Sequence, residues 1–356
     1  MIFAILKPSM VITEVEKVFI SVAHERKHEA YVFIAKNINF EKKQIKGITL
    51  ENNEIVEKYF DFPDVVQNRL AVKAEDVENY LKLADMIPFT NNRIGDKEFI
   101  YNKIKNIESL KKYLIEVLKL ESFELLIDKI KQHGKVICKP SASNQGKGIY
   151  SIIKKDQYYI VKSLESESIL DVDGLKGFYK EKFIKGYTIS PFIKSETNLG
   201  QTTVFRMHLT RGEKGKWQMI KFFPYVNLNH KIDITNGMLG ALITTRENLF
   251  LEQYYSDSYK IIQNELKSLF REFTKEFQKL YRWRLDGIGL DLGITQEGSI
   301  YIYEVNVGAG IGFMAYPVAC SQVSYYEWLA INAKKPFINN FLPINLRKSN
   351  TLTARL

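Results

Sequence analysis

Runs of apolar residues, some alternating and some recurring every three or four positions, divide the chain into short strands and a few amphipathic helices. Residues 2–6 read as a strand, 15–25 as a helix and 30–35 as a second strand. Residues 44–59 read as a hairpin turning at Asn52-Asn53, with Ile45, Ile48 and Leu50 before it and Ile55, Val56 and Tyr59 after. This small α/β unit closes at Ile87-Pro88-Phe89. Three helical stretches follow, at 96–106, 109–118 and 123–132, the third stopped by Gly134. Val136-Ile137-Cys138-Lys139 forms a buried strand, 164–179 reads as helical, and 202–210 with 217–227 make a second hairpin about Glu213-Lys214-Gly215. Tyr259, Ile262, Leu266, Leu269, Phe273, Phe277 and Leu280 form one stripe, that of a long helix packed on a sheet.

At 356 residues the chain has room for two or three packed units. Apolar residues are 45% and charged residues 26%, the balance of a globular protein, and no run is apolar enough to span a membrane. The apolar start lacks a basic region and a cleavage site, so it reads as a strand and not a signal peptide. Two cysteines, Cys138 and Cys320, imply no disulfide framework and fit a reducing cytosol. The net charge of +10 is compatible with nucleic acid or an acidic substrate. No segment interleaves a basic run with aromatics, so a solvated lysine-rich surface is the better reading. His24-Glu25-Arg26-Lys27-His28 matches H-E-x-x-H, but the helical periodicity fades before it, which makes it a chance match.

The most informative stretch is 286–306, DGIGLDLGITQEGSIYIYEVN. Ile288, Leu290, Leu292 and Ile294 fall on one face of a strand, and Gly287, Gly289, Asp291 and Gly293 on the other. A two-residue Glu297-Gly298 loop would set Asp291 opposite Glu304 and Gly289 opposite Asn306. Carboxylates facing each other across a ladder repel unless a cation lies between them, and two carboxylates plus an amide oxygen suit Mg²⁺. The alternative is a surface hairpin with solvated acids. Lys139-Pro140-Ser141-Ala142-Ser143-Asn144-Gln145-Gly146-Lys147-Gly148-Ile149 offers backbone N–H groups and a lysine to an anion, or is a hairpin tip. It lacks the helix that a Walker A loop opens.

Taken in order, KPSASNQGKGI, EKFIKG, FRMHL, DLG and EVN resemble the ATP-grasp superfamily across about 92–317. Within it the chain looks most like the spore-coat-associated YheC/YheD group. It is also similar to the ribosomal-protein glutamate ligases and D-alanine–D-alanine ligase. The resemblance implies an α+β fold of two lobes with mixed and antiparallel sheets over 93–340. A pre-grasp α/β domain over 1–92 precedes it, and a tail over 341–356 follows. It implies an ATP-dependent carboxylate–amine ligase working through an acyl phosphate, with ATP and Mg²⁺ or Mn²⁺ as cofactors. Its other implication is a nucleotide-binding coat protein with little turnover.

For the site, the resemblance makes Lys97 a phosphate contact, Lys139 the strand-end lysine, and Ser143, Asn144, Gln145, Gly146, Lys147 and Gly148 the phosphate loop. Glu181, Lys182, Phe183 and Ile184 become the interlobe linker at adenine. Arg206 steadies the phosphoryl group or substrate carboxylate, Asn236 joins Arg206 and Lys139 in catalysis, and Asp291, Glu304 and Asn306 ligate the metal. The partners implied are small-molecule or peptide acids and amines, a homo-oligomer or a spore coat. The location implied is cytoplasmic or spore-associated. The chain departs from the pattern at Tyr187-Thr188 (ribose), Val204 (an acid in relatives) and Val307-Gly308-Ala309-Gly310, which lacks the relatives' proline.

Overall fold

The computed structural model describes residues 1–69, 74–91, 94–95, 97–141, 148–183, 186–228, 233, 235, 240–281, 284–308 and 312–333. Chain order opens with β1 (Ile2–Leu6), α1 (Glu14–Glu25), β2 (Glu29–Phe33), β3 (Ile38–Asn39), β4 (Gln44–Glu51), β5 (Glu54–Asp61), β6 (Val65–Asn68), α2 (Val77–Ala84) and β7 (Phe89–Thr90). These strands form one mixed sheet ordered β3-β4-β2-β1-β6-β7, with β5 paired to β4. Strand β1 runs parallel to β2 and β6 and is covered on both faces, which is why it is apolar throughout and does not alternate. Asn52 and Asn53 both have positive φ, the conformation a two-residue hairpin turn needs.

The small lobe follows: α3 (Lys97–Ile104), α4 (Glu108–Lys111), β8 (Leu118–Lys119), α5 (Phe123–His133), β9 (Lys135–Pro140), β10 (Tyr150–Lys155), β11 (Tyr158–Lys162), β12 (Glu167–Leu170), α6 (Val172–Lys182) and β13 (Tyr187–Pro191). Its sheet is ordered β12-β11-β10-β9-β13-β8, with Leu126, Ile130, Leu175 and Phe183 in its core. Ser122 caps α5, and Gly134, at φ +73°, ends it. Two helix expectations are corrected here. The 164–179 stretch splits, because 167–170 finds a ladder with β11 and Asp171 then caps a new helix through the Gly174 N–H at 2.8 Å. The 109–118 stretch is helical only at Glu108–Lys111, since Leu114 bridges to Ile302 and Leu118 pairs with β13.

The large lobe comprises β14 (Thr203–Arg211), β15 (Trp217–Val226), β16 (Leu242–Ile243), α7 (Glu247–Tyr254), α8 (Tyr259–Glu276), β17 (Gly287–Ile294), β18 (Ile300–Val307) and α9 (Ala315–Asn332). Its antiparallel sheet is ordered β16-β15-β14-β17-β18. Ile262, Leu266, Leu269 and Phe273 of α8 are buried against Leu290, Leu292 and Ile294, the stripe and face read from the sequence. Helix α9 packs both on β14 of this lobe, where Thr210 bonds Ser321 at 3.0 Å, and on α1, with Tyr326 against Phe3 and Phe19. A segment from the far end of the chain therefore completes the core of the N-terminal unit. Helix α1 stops at Glu25, and His28 bonds Glu327 at 2.8 Å, so the two histidines of H-E-x-x-H do not share a helix.

Candidate functional site

The two smaller sheets face each other across a cleft of about 940 Å³, lined by Lys97 of α3, Lys139 of β9, Arg206 of β14, Asp291 of β17, and Glu304 and Asn306 of β18. Strand pairing puts Arg206 opposite Asp291 and Asp291 opposite Glu304, so three charged groups form a row across adjacent strands. Asn306 pairs with Gly289 one step along. The opposite face of the same strands is apolar and buried under α8, which drives this row toward the open side.

Each charged group has a defined partner. Arg206 grips Asp291 with two hydrogen bonds, Nε to Oδ1 at 2.5 Å and Nη2 to Oδ2 at 3.0 Å. Asn306 Nδ2 donates to Asp291 Oδ2 at 3.2 Å, and Lys97 Nζ lies 3.4 Å from Glu304 Oε1. Burial pushes the Asp291 carboxyl up while Arg206 opposes it. Burial works to lower Arg206, but the facing carboxylate outweighs it and holds the guanidinium above its ordinary value. Lys139 is pushed down by burial and by Lys97, against the pull of Glu304. Lys97, Lys139 and Arg206 thus gather around Asp291 and Glu304 within the cleft.

This donor set fits a hard divalent cation. Two carboxylates face each other on an open surface, and an amide whose nitrogen bonds one of them keeps its oxygen for a further contact. Among the described residues there is no cluster of three or more His, Cys, Asp or Glu side chains, so a cation here would complete its shell from water or phosphate.

The interlobe linker is corrected. Glu181 and Lys182 end α6, ion-paired to each other at 2.7 Å on its exposed side, and Phe183 is buried in the small-lobe core. None of the three lines the cleft; Thr188 and Ser190, Pro191, Phe192 and Ile193 do, where β13 leaves the small lobe on the way to β14. The sequence signal was there, since Tyr187-Thr188-Ile189-Ser190 alternates as a strand should. Ile184, Ser143, Asn144, Gln145, Gly146, Lys147, Asn236, Asp96 and the 341–356 tail lie outside the described residues. Gly148, at φ +73°, sits against Pro140 and Tyr187, and the neighbouring Ser141 and Ile149 line the cleft.

Sequence reasoning missed Asp233. Its carboxylate accepts from Ser151 Oγ at 2.6 Å and pairs with Lys135 Nζ at 2.7 Å, tying the segment after β15 to the small lobe. Lys135 in turn lies over the Phe192 ring, 3.8 Å from its centroid. No local pattern announces a contact between residues this far apart in the chain.

The comparisons with known proteins agree with this architecture. Residues 86–317 match the family model described as YheC/D like ATP-grasp. The chain is 25% identical over 305 residues to the endospore coat-associated protein YheD of Bacillus subtilis (strain 168), covering 81% of this chain and 66% of that one. It therefore spans just under two thirds of that relative's length. Among solved structures, the macrocyclase MdnC of Microcystis aeruginosa, bound to its precursor peptide MdnA, superposes with a TM-score of 0.51 at 10% identity, over 92% of this chain and 99% of that one. The D-alanyl-alanine synthetase A of Vibrio cholerae gives 0.48 at 14% identity, over 95% and 98%. With the α+β fold of two facing lobes, and a family match over well more than half of its length, the chain belongs to the YheC/D-like ATP-grasp family.

Proposed function

We propose that this protein is an ATP-dependent carboxylate–amine ligase. The observation that carries this reading is the Arg206–Asp291–Glu304 row, facing Lys97 and Lys139 in one cleft. The cations suit a polyphosphate, and the apolar Ile137 and Ile302, one from each sheet, suit the faces of a purine.

Asp291, Glu304 and the Asn306 amide oxygen are the residues that would hold Mg²⁺ or Mn²⁺. Bound there, the ion supplies charge neutralisation on the phosphates. The acid's carboxylate oxygen attacks the γ-phosphorus. An O–P bond forms as the bond to the β–γ bridging oxygen breaks, and ADP leaves with that electron pair. The amine nitrogen then attacks the acyl carbon, the C–O bond to phosphate breaks, and the amide forms with loss of a proton to water. Lys97 and Lys139 bind the phosphates. Arg206, held in one orientation by its two bonds to Asp291, meets the developing charge without reorganising. No side-chain nucleophile is required, so catalysis rests on positioning and charge.

ADP and phosphate release from Mg-ATP, with and without pooled amino acids and short peptides, tests the reading. Release that requires one pool supports a ligase. Tight ATP binding with no release from any pool favours the second reading, a nucleotide-binding coat component, motivated by similarity to an endospore coat-associated protein. Absence of ATP binding defeats both.

A further inference from the structure

The charged row does not end at Arg206. The next strand over is β15, where Phe223 stands directly opposite Arg206. Phe223 supports two more rings on the same side. Tyr225 lies 5.3 Å away at 60°, and Phe313 lies 5.1 Å away at 76°. Phe223 itself is buried, 2% exposed, while Phe313 is 52% exposed. Tyr225 lines the cleft and is close enough to Arg206 and Asp291 for their charges to act on its hydroxyl. Across the sheet the order is therefore carboxylate, carboxylate, guanidinium, aromatic. Around this end the described lining is Thr202, Thr203, Val204, Tyr225, Thr235 and Ile243, with Asp233 as the one charge, already engaged by Lys135. Apart from Arg206, the basic groups that line the cleft lie on or just after α3 and on β8 and β9.

We infer that the acid substrate is a carboxylate borne by an aromatic or large aliphatic group, as at the C-terminus of a peptide ending in an apolar residue. This deepens the ligase reading above and rests on it. Arg206 uses Nε and Nη2 on Asp291 and makes no hydrogen bond through Nη1 among the described residues. That nitrogen is available to a substrate carboxylate, one strand from the aromatic group. An apolar side chain extending from that carboxylate meets Tyr225 in the cleft and, past the cleft lining, the exposed ring of Phe313 that packs on Phe223, where ring-on-ring or aliphatic contact removes apolar surface from water. An acidic side chain would meet rings and Asp233, whose own ion pair occupies Lys135.

The experiment uses N-acetyl-L-phenylalanine, N-acetyl-L-alanine and N-acetyl-L-glutamate, each titrated calorimetrically into the full chain with a non-hydrolysable ATP analogue and Mg²⁺, alongside ADP release from ATP. The phenylalanine probe is expected to bind about tenfold or more tighter than the alanine probe. Phe313→Ala is expected to erase most of that difference, with its thermal melt reporting that the fold persists; Tyr225→Leu, which keeps an apolar side chain, is expected to lower it partway. Equal binding of the phenylalanine and alanine probes, or preference for glutamate, overturns the inference. The two readings fail separately. ADP release stimulated only by the glutamate probe would keep the ligase and sink the aromatic subsite. Phenylalanine-selective binding lost in Phe313→Ala, with no ADP release from any acid and amine, would keep the subsite and sink the ligase.

Discussion

Glu16 is a buried carboxylate of the N-terminal unit held by several charged and polar partners, and replacing it with glutamine tests the electrostatics of this fold. It lies in the first turn of α1 and is 3% exposed. Lys7 Nζ bonds one of its oxygens at 2.8 Å, Arg69 Nη2 the other at 2.9 Å, and the Thr13 N–H reaches it at 2.9 Å as half of a capping box. Burial alone would raise its pKa, but the bonds from Lys7 and Thr13 and the charge of Arg69 outweigh burial and pull it from 4.5 to about 2. At about 1.4 kcal/mol per tenfold change in proton affinity, that drop corresponds to about 3 kcal/mol of stability at neutral pH. The sign follows from which state binds the proton more readily. The unfolded chain does, so the contribution is complete above pH 4.5 and is lost as the pH falls toward 2.

Glu16→Gln keeps the shape and removes the charge. Urea denaturation followed by tryptophan fluorescence reads the effect, because Trp328 packs against the same core. At pH 7 the variant should be less stable by about 3 kcal/mol, since Lys7 and Arg69 lose their shared anion. The gap between wild type and variant should narrow steadily below pH 4.5. A constant gap from pH 7 to pH 3 would show that Glu16 acts through packing and refute the electrostatic account.

Four further outcomes follow from the cleft and its hairpin. Asp291→Asn with Glu304→Gln should abolish ATP turnover while far-ultraviolet circular dichroism stays that of the folded chain; retained turnover would remove both from the metal site. Lys139→Ala should weaken ATP binding about tenfold or more, and an unchanged affinity by calorimetry would make Lys139 a structural residue. Asp233→Ala frees Lys135 and Ser151 and loosens the wall at Phe192, so the KM for ATP should rise several-fold with a smaller change in kcat; equal losses in both would place Asp233 elsewhere in the mechanism. Gly293→Ala should cost about 1–3 kcal/mol in a denaturant melt, because the added Cβ would stand 2.2 Å from the Tyr303 hydroxyl oxygen; an unchanged midpoint would mean that Tyr303 moves freely.

Local rules read the elements whose neighbours in space are also neighbours in sequence. The Asn52-Asn53 hairpin and the α8 stripe came directly from turn chemistry and period. The 164–179 stretch misled because its helical and strand signals overlap, and only the free edge of β11 decides that 167–170 pairs as strand. Helix α9 is buried at Val318, Ala319, Ser321, Gln322, Val323, Tyr325, Tyr326 and Leu329, nearly all the way round. A helix so enclosed has no single apolar face to betray it, and its partner α1 lies about three hundred residues away. The linker at Phe192 and the tie at Asp233 share that origin, since both depend on where two sheets meet.

The carboxylate hairpin shows how a correct pairing can rest on an incorrect loop. A two-residue turn was expected to set Asp291 opposite Glu304, and they do pair. The turn, however, holds three residues, because Thr295 pairs with Ser299 and Gly298 adopts φ +89° to close it. That shifts the ladder by one, so Ile294 faces Ile300 and Leu292 faces Ile302. A bulge between Asp291 and Leu292 then takes up Tyr303 as an extra residue and shifts the register back. Without the bulge, Asp291 would face Tyr303, and Glu304 would turn to the buried side beneath α8. The bulge therefore brings the second carboxylate into the cleft, and Gly293 leaves room for the Tyr303 ring it displaces. Deleting Tyr303 should therefore leave a regular ladder in which Leu292 still faces Ile302 and Asp291 still faces Glu304, so turnover should survive; loss of turnover in a variant that still melts cooperatively would show that the bulge does more than set the register.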